Sequence, residues 1–155
     1  MEANWLTPRE ERAWRGYMRM RALLDLQISR DLAEDSGLSD ADYQVLATLS
    51  EVEGQQYRLI ALAERMLWSK SRLGHQLKRM AARGLVRRET HPNHSRAAVV
   101  TLTDQGLRTL EEAAPKHLES VRRHFVDLLT DSQLDALGDA TTIVIDHLRS
   151  NGGAP

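Results

Sequence analysis

The spacing of apolar residues along the chain predicts helices over most of its length. Apolar positions recur at intervals of three and four residues, which places them on one face of a helix. Thr7 and Glu10 have the spacing of a capping box, with Pro8 at the first helical position, so a first helix is predicted over residues 8–35. Ser39 begins a second, shorter helix in the same way.

The middle of the chain predicts two short helices that cross sharply and are followed by a hairpin. A third helix is expected over residues 60–67, with a poor capping residue at its start, and Ser69 caps a fourth helix that ends at Gly84. Only two or three residues separate these helices, which is the spacing of a helix-turn-helix. Residues 85–90 and 96–102 have the composition of β-strands around a Pro-Asn turn, so they predict a β-hairpin wing.

Two long helices complete the predicted fold. Thr103 caps a fifth helix whose apolar stripe is expected to reach Leu128, and Pro115 should interrupt and kink it because its ring removes a backbone hydrogen bond. Thr130 begins a last helix. The fold class predicted is therefore mainly α with a small β-hairpin wing, that is, a winged helix-turn-helix with further long helices around it.

Charge changes this picture, because the two signs are separated along the chain. The 155 residues carry a net charge of −1, but residues 56–96 contain ten Lys and Arg against two Glu, a net charge of +8. The rest of the chain carries −9. A solvated charged surface explains mixed signs, whereas a basic block in an acidic frame indicates a segment that binds a polyanion.

The fourth helix has the surface that such a segment needs. On a helical wheel its apolar residues, Leu73, Leu77 and Met80, fall on one side, and the opposite side contains no acidic residue. Lys and Arg suit guanine edges and phosphates, and a glycine at position 74 allows a close approach to the major groove. The DNA-binding residues predicted here and at the wing are Ser69, Lys70, Ser71, Arg72, His75, Lys78, Arg79 and Arg96.

Several strings in this order resemble the MarR family of bacterial transcription factors. They are Leu-Ala-Glu-Arg-Met at 62–66, Ser-Lys-Ser-Arg-Leu at 69–73, Gly-Leu-Val-Arg-Arg at 84–88 and Leu-Thr-Asp-Gln-Gly at 102–106. The resemblance covers nearly the whole chain. It implies a single domain over residues 1–155, a homodimer and a palindromic double-stranded DNA site, commonly with a small-molecule effector that loosens DNA binding. A repressor is the function expected for this chain, with an activator as the alternative that the sequence leaves open.

The resemblance also implies an internal division and an effector pocket. Residues 1–36 and 103–150 would form the dimerisation helices, and residues 39–102 the winged helix-turn-helix lobe. The pocket, for a small aromatic or anionic effector, would lie between them. Its candidate residues are Trp14, Met18, Arg21, Tyr43 and His117. Trp and Met in a helical stripe are more often core than pocket, and Arg21 is equally consistent with a surface charge.

One departure from the family pattern lies in the wing. The family usually has an Asp-x-Arg arrangement at the wing tip, in which the aspartate helps to hold the tip. Here Arg96 matches the arginine, but His94 stands where the aspartate is expected. An arginine at this point suits the narrow, negative minor groove.

Other function classes fit the sequence less well. A metal-responsive regulator of the same fold is the alternative, but the histidine pairs 91/94 and 117/124 have no obvious further ligands, and there is no cysteine. Ser71 and His75 lie one turn apart but lack a third catalytic partner, so neither an enzyme nor a bound cofactor is predicted. A purely structural interaction module does not account for the basic block. With no long apolar run and no secretion signal at the N-terminus, a cytoplasmic protein is expected, without a membrane partner.

Overall fold

A computed structural model gives the architecture of the chain. It describes residues 3–91 and 94–151, and at positions 91 and 94–97 it describes the backbone alone. The described helices are α1 (Pro8–Ser36), α2 (Asp40–Ser50), α3 (Leu59–Met66), α4 (Lys70–Ala82), α5 (Asp104–His124) and α6 (Asp131–Asn151). The strands are β1 (Gln56–Arg58), β2 (Val86–His91) and β3 (His94–Leu102). This order confirms the predicted class of a mainly α fold with a β-hairpin wing.

The predicted helix starts are formed by side-chain caps. Thr7 and Glu10 bond reciprocally at the start of α1, and Ser39 and Asp42 do the same at α2. The hydroxyl of Ser69 accepts from an α4 backbone N–H, and Thr103 does so for α5. At α6, Thr130 and Gln133 exchange equivalent bonds. Each cap satisfies backbone N–H groups that have no partner within the helix, which fixes where the helix begins.

Two sequence predictions about the elements are wrong, and one strand was not predicted. The helix α5 continues through Pro115, and it ends at His124, so Phe125 and Leu128 are not part of its stripe. A short 3-10 turn, Val126–Leu128, follows instead. The sheet has a strand beyond the predicted hairpin: β1 pairs with β3 and gives the sheet order β1-β3-β2. Three residues of mixed polarity carry too little pattern to predict a strand, and only pairing with β3 defines it.

The core lies beneath the helix-turn-helix and the sheet. Its fully buried side chains come from α2, α3, α4, β3 and the loop before α2, with α1 and α5 contributing at one edge. The largest of them are Leu38, Leu46, Leu49, Leu62, Leu73, Leu77 and Met80. The predicted apolar face of α4 is therefore the face that the core covers, and the opposite face of this helix is left to solvent.

A glycine sets the distance between α5 and the start of the wing. A Cβ placed on Gly106 would lie 2.0 Å from the Leu85 carbonyl oxygen and 2.9 Å from a methyl group of Leu102. Thr103 donates to the same Leu85 oxygen at 3.0 Å. The first turn of α5 therefore packs directly on the backbone that leads into β2, with no room for a side chain at this point.

A carboxylate joins α1 to α5. Asp31 accepts from Ser120 Oγ at 2.6 Å and lies 3.1 Å from His124 Nε2, and on its own helix it accepts from Gln27 at 2.8 Å. The bond from Ser120 is the main reason why the pKa of Asp31 lies below its ordinary value. These bonds fix the register between the two long helices.

The two ends of the chain expose much apolar surface. No described residue of α6 is buried, and Ile143, Val144 and Leu148 are each more than half exposed. On α1 only Leu32 is buried, while Trp14, Leu23 and other apolar side chains face solvent. None of the described helices is long and apolar enough to cross a membrane.

Candidate nucleic-acid interface

The exposed face of α4 is basic and contains no acidic side chain. Lys70, Ser71, Arg72, His75, Lys78 and Arg79 are all exposed. The buried face holds Leu73, Leu77 and Met80, so the sequence prediction of which side faces outward agrees with the packing. Ser69 is the cap residue, and its hydroxyl accepts from the Arg72 N–H at 3.1 Å. The positive end of the helix dipole therefore lies beside Lys70 and Arg72, where an anion is favoured.

A buried carboxylate anchors this helix to α2. Asp42 is 3% exposed, and its Oδ1 accepts from Gln76 Nε2 at 2.6 Å. Its Oδ2 accepts from the Arg83 guanidinium at 2.7 Å and from the Ser39 N–H at 3.0 Å. Burial by itself raises the pKa of Asp42, but the bonds and charge of Arg83 together with the Ser39 bonds outweigh burial and hold this pKa below its ordinary value.

The anchor extends to a side chain on the exposed face. Gln76 is 3% exposed, and its amide oxygen accepts from the Arg79 guanidinium while its amide nitrogen donates to Asp42. Gln76 thus holds Arg79 in place, and the bond to Asp42 fixes the orientation of the Gln76 amide. A hydrogen-bonded guanidinium of this kind reaches a DNA edge with less loss of freedom than a mobile one.

The turn before α4 contains an indole over which the guanidinium of Arg72, in the first turn of α4, is placed. The Arg72 guanidinium carbon lies 4.0 Å from the centre of the Trp68 ring, which is within the range of a cation–π interaction. Trp68 is half-buried against the core, and the preceding Leu67 is 85% exposed in the left-handed conformation. Both residues lie in the two- to three-residue turn that defines the helix-turn-helix.

The wing follows from β2 and β3. Val86 pairs with Leu102 and Arg88 with Val100, and the register becomes irregular between Glu89 and His91. Arg87 and Arg88 are exposed on β2, and Arg87 is paired to Glu89 at 2.7 Å. The predicted contact residue Arg96 and the neighbouring His94 lie on β3, where their side chains are outside the described part of the structure.

A polar cavity of about 600 Å³ lies between α2, α3, α5 and the end of α6. The Tyr43 and His117 rings meet at 4.2 Å between centres and form one wall. Its lining residues are Asp40, Tyr43, Gln44, Ala47, Thr48, Arg65, Met66, His117 and Arg149. His117 Nδ1 is buried without a hydrogen-bond partner among the described residues, and burial lowers the pKa of this imidazole while Asp40 opposes that effect.

These features match proteins of known class. A family model described as the MarR family matches residues 36–97, the helix-turn-helix and wing. The transcriptional regulator HosA of Escherichia coli O111:H- is 30% identical over 119 residues, which cover 77% of this chain and 86% of HosA. The chain belongs to the MarR family.

Solved structures agree for nearly the whole length of this MarR family regulator. AbsC, a MarR family transcriptional regulator from Streptomyces coelicolor, is 42% identical with a TM-score of 0.88, covering 96% of this chain and all of AbsC. Sco3205, from the same organism and solved in complex with DNA, is 35% identical with a TM-score of 0.88, covering 96% of this chain and 92% of its own. The predicted identity as a DNA-binding MarR family transcription regulator is confirmed.

The predicted effector residues separate into two groups in this MarR protein. Tyr43 and His117 line the cavity together. Trp14, Met18 and Arg21 lie on the outer surface of α1, where the Arg21 guanidinium is 6.0 Å from the Tyr17 ring, and they do not line this cavity in a single chain. A pocket shared by all five remains a prediction.

Two further observations concern the remaining predictions. Among the described residues, no three His, Asp or Glu side chains come together as a metal-binding group, so nothing here supports the metal-responsive alternative.

Sequence reasoning missed the buried hydrogen bonds that support α4. The signal was present, because Gln76 stands inside the apolar stripe, three residues after Leu73 and four before Met80. A polar residue at a core position of a helix indicates a buried partner.

Proposed function

We propose that this MarR family regulator is a homodimeric, non-enzymatic repressor that binds a palindromic double-stranded DNA operator and is released by a small-molecule effector. The observation that carries the proposal is the exposed face of α4. It is basic and free of acids, and it is fixed to the core by its apolar side and by the Asp42–Gln76 bond. Preorganised cationic and hydrogen-bonding groups on a helix of this size suit the major groove.

The proposed DNA contacts combine base recognition with phosphate binding. Sco3205, 35% identical to this chain, was solved in complex with DNA, which supports DNA binding by this chain. The contacts proposed are Ser69, Lys70, Ser71, Arg72, His75, Lys78 and Arg79, with Arg96 in the minor groove. We assign edge recognition to the arginines, since a guanidinium bonds to guanine at two points, and phosphate contacts to the lysines.

The proposed division of labour follows the exposed apolar surface. Residues 39–102 contain the DNA-binding lobe, and residues 1–36 and 103–150 carry the helices that we propose form the dimer. The apolar side chains of α6 are uncovered in a single chain, and a second copy would remove them from water. Because the proposed ligand is chromosomal DNA, we also propose that the protein acts in the cytoplasm.

We propose the cavity beside Tyr43 and His117 as the effector site. Arg149 supplies positive charge at its edge, as does Arg65, which also pairs with Glu51 at 3.0 Å, and the Tyr43 and His117 rings, tilted at 39° to each other, supply an aromatic wall. A monocyclic aromatic carboxylate matches both features, because its ring can pack on the Tyr43–His117 wall while its charge meets a guanidinium.

The DNA proposal is tested by selecting bound duplexes from a random library and footprinting the protein on the selected duplexes. We expect a two-fold symmetric site with half-site centres about 10 base pairs apart. Arg79→Ala should cost about 1–3 kcal/mol on the selected site and relax one base position, while Lys78→Ala should weaken all duplexes alike. A reporter driven from the selected site should rise when the protein is removed. An asymmetric footprint, or a reporter that falls, contradicts the proposal.

The effector proposal is tested with paired ligands. Aromatic carboxylates should release the selected duplex, and their neutral amides, equal in shape, should not. Arg149→Gln should abolish release without changing DNA affinity, whereas Arg108→Gln, an exposed arginine outside the cavity, should leave release intact. Release by amides as readily as by carboxylates would show that charge recognition at this cavity is not the mechanism.

A further inference from the structure

At the entrance to α4 the guanidinium carbon of Arg72 lies over the indole of Trp68, 4.0 Å from the centre of the ring. We propose that Trp68 is a positioning residue for DNA recognition: its ring fixes the orientation of Arg72, which then recognises one guanine per half-site. The proposal rests on the proposed contact between α4 and the major groove. It assigns a specificity role to a residue that need not touch DNA.

The backbone around Trp68 is fixed on both sides. Leu67 adopts a left-handed conformation with φ 55°, which ends α3, and the Trp68 N–H donates to the Ala63 carbonyl at 2.9 Å. On the other side Ser69 caps α4. The side chain packs partly against the core, whereas that of Leu67 points into solvent. The fold therefore sets the plane of the ring, and Arg72 adapts to it.

The stacking leaves the recognition edge of Arg72 available. A ring covers one face of a guanidinium, while its five N–H groups lie in the plane and point outward. Among the described residues, no side chain or carbonyl accepts from them and no carboxylate pairs with them. Guanine presents two acceptors, O6 and N7, to such a fork in the major groove. Arg72 is the third residue of α4, at the end of a recognition helix that reaches base edges.

Because of the ring, the arginine is ordered before DNA binds and not as it binds. A mobile arginine loses its freedom on binding, which weakens affinity for every sequence and tolerates several base partners. An arginine already oriented by a ring loses little on binding and meets only the base that fits its plane. Lysine cannot substitute here, because an ammonium has no plane to stack or to align. The role of Trp68 should thus appear as discrimination between bases.

The experiment measures affinity for the duplex selected by the unmodified protein and for all its single-base variants. Trp68→Leu should lower discrimination about three- to ten-fold at one base-pair position of each half-site and leave other positions unchanged. Trp68→Phe, which keeps a ring, should restore most of it. Arg72→Lys should lose discrimination at the same position, and adding Trp68→Leu to it should change nothing more. Lys78→Ala is the matched control, because it should weaken all duplexes equally.

Each outcome decides the question. Full discrimination in Trp68→Leu, together with its loss in Arg72→Ala, overturns the positioning role and leaves the proposed DNA contact intact. No change in Arg72→Ala overturns both the positioning role and that contact. If Trp68→Leu does not fold, fluorinated tryptophans placed at position 68 keep the shape while weakening the negative face of the ring. Discrimination should then fall with each added fluorine, and constant discrimination overturns the proposal.

Discussion

Asp42 shows how much of the DNA-binding surface depends on a single buried side chain. Its two oxygens accept from Gln76, Arg83 and the Ser39 N–H, so it joins the start of α2 to the middle and the end of α4. Its neighbour in sequence, Tyr43, faces the cavity instead. Of these adjacent residues of α2, Asp42 thus supports the recognition helix and Tyr43 lines the proposed effector site.

Asp42→Asn should lower the free energy of unfolding by about 2 kcal/mol at pH 7. An amide replaces one acceptor oxygen with a donor, which then faces either Gln76 or Arg83, both of which donate. Because folding lowers the pKa of Asp42, the carboxylate stabilises the fold above its unfolded pKa, and this contribution disappears as the pH falls through the folded pKa. Urea titrations should therefore show the two proteins converging in strongly acidic buffer.

The control for this variant is Asp40→Asn. Asp40 is exposed on the same helix and accepts only from Gln44 among the described residues, so its replacement should change stability by less than about 0.5 kcal/mol. An equal loss in both variants would mean that the total charge of the helix start matters, and that the buried bonds do not.

His117 predicts a second pH effect in the same direction as that of Asp42, but in a higher pH range. Burial lowers the pKa of this imidazole, so the unfolded chain takes up a proton at a higher pH than the folded one does. Stability from this group is complete above the unfolded pKa and is lost as the pH falls below about 6.5. His117→Gln should flatten the fall in unfolding free energy between pH 7.5 and 5.5, as measured by urea titration. His147→Gln, an exposed histidine on α6, should leave it unchanged.

At the scale of elements, two helical glycines should respond in opposite ways to the same change. Gly106→Ala should destabilise the protein by about 3 kcal/mol, because the new Cβ meets the Leu85 carbonyl oxygen, which belongs to the backbone. Gly74→Ala in α4 has nothing within 4 Å of its new methyl group and should gain about 0.5–1 kcal/mol from helix propensity. Thermal melts of the two variants compare these directly, and melting points shifted in the same direction would contradict the packing of α5 on the wing.

Gly74→Ala also tests the recognition helix apart from stability. The glycine lies between the basic side chains of α4, where the sequence indicates a close approach of the backbone to DNA. A variant that melts higher and yet binds the selected duplex more weakly would support that approach. Unchanged affinity would mean that the helix backbone stays at least a methyl group away from the groove.

At the scale of the whole molecule, a single chain leaves apolar side chains of α1 and α6 uncovered, and α6 has no buried residue among those described. Val144 and Leu148 lie one turn apart on its surface and are 56% and 62% exposed. Val144→Glu combined with Leu148→Glu should convert the proposed dimer into a folded single chain, detected by sedimentation at micromolar concentration, because carboxylates would have to be buried without partners. The helix-turn-helix core lies elsewhere and should keep its helical circular dichroism.

The matched control adds the same charges to the opposite face of α6. Thr142→Glu combined with Ser150→Glu should leave the sedimentation coefficient unchanged, since these positions point away from the Val144–Leu148 face by helical geometry. A single-chain species for the unmodified protein would reject the dimer proposal outright.

Local signals decided most of what the sequence determined about this protein. Helix starts at Thr7, Ser39, Ser69 and Thr103 depend on bonds to residues three positions away, so a short string contains the whole cause. The side of α4 that faces outward also follows from its own periodicity, because helical geometry links position to direction. The order of the elements followed from the same local signals, and the family strings added the class of DNA-binding regulator.

Only the tertiary structure decided what depends on contacts across the chain. The strand β1 exists because β3 offers it backbone partners more than 40 residues away, as Tyr57 pairs with Val100. In the sequence, Asp42 has the position of a capping residue three places after Ser39. Its role beneath α4 depends on bonds from Gln76 and Arg83, which lie 34 and 41 residues further along the chain. Pairings of this kind are set by the geometry of the packed core, which no local pattern contains.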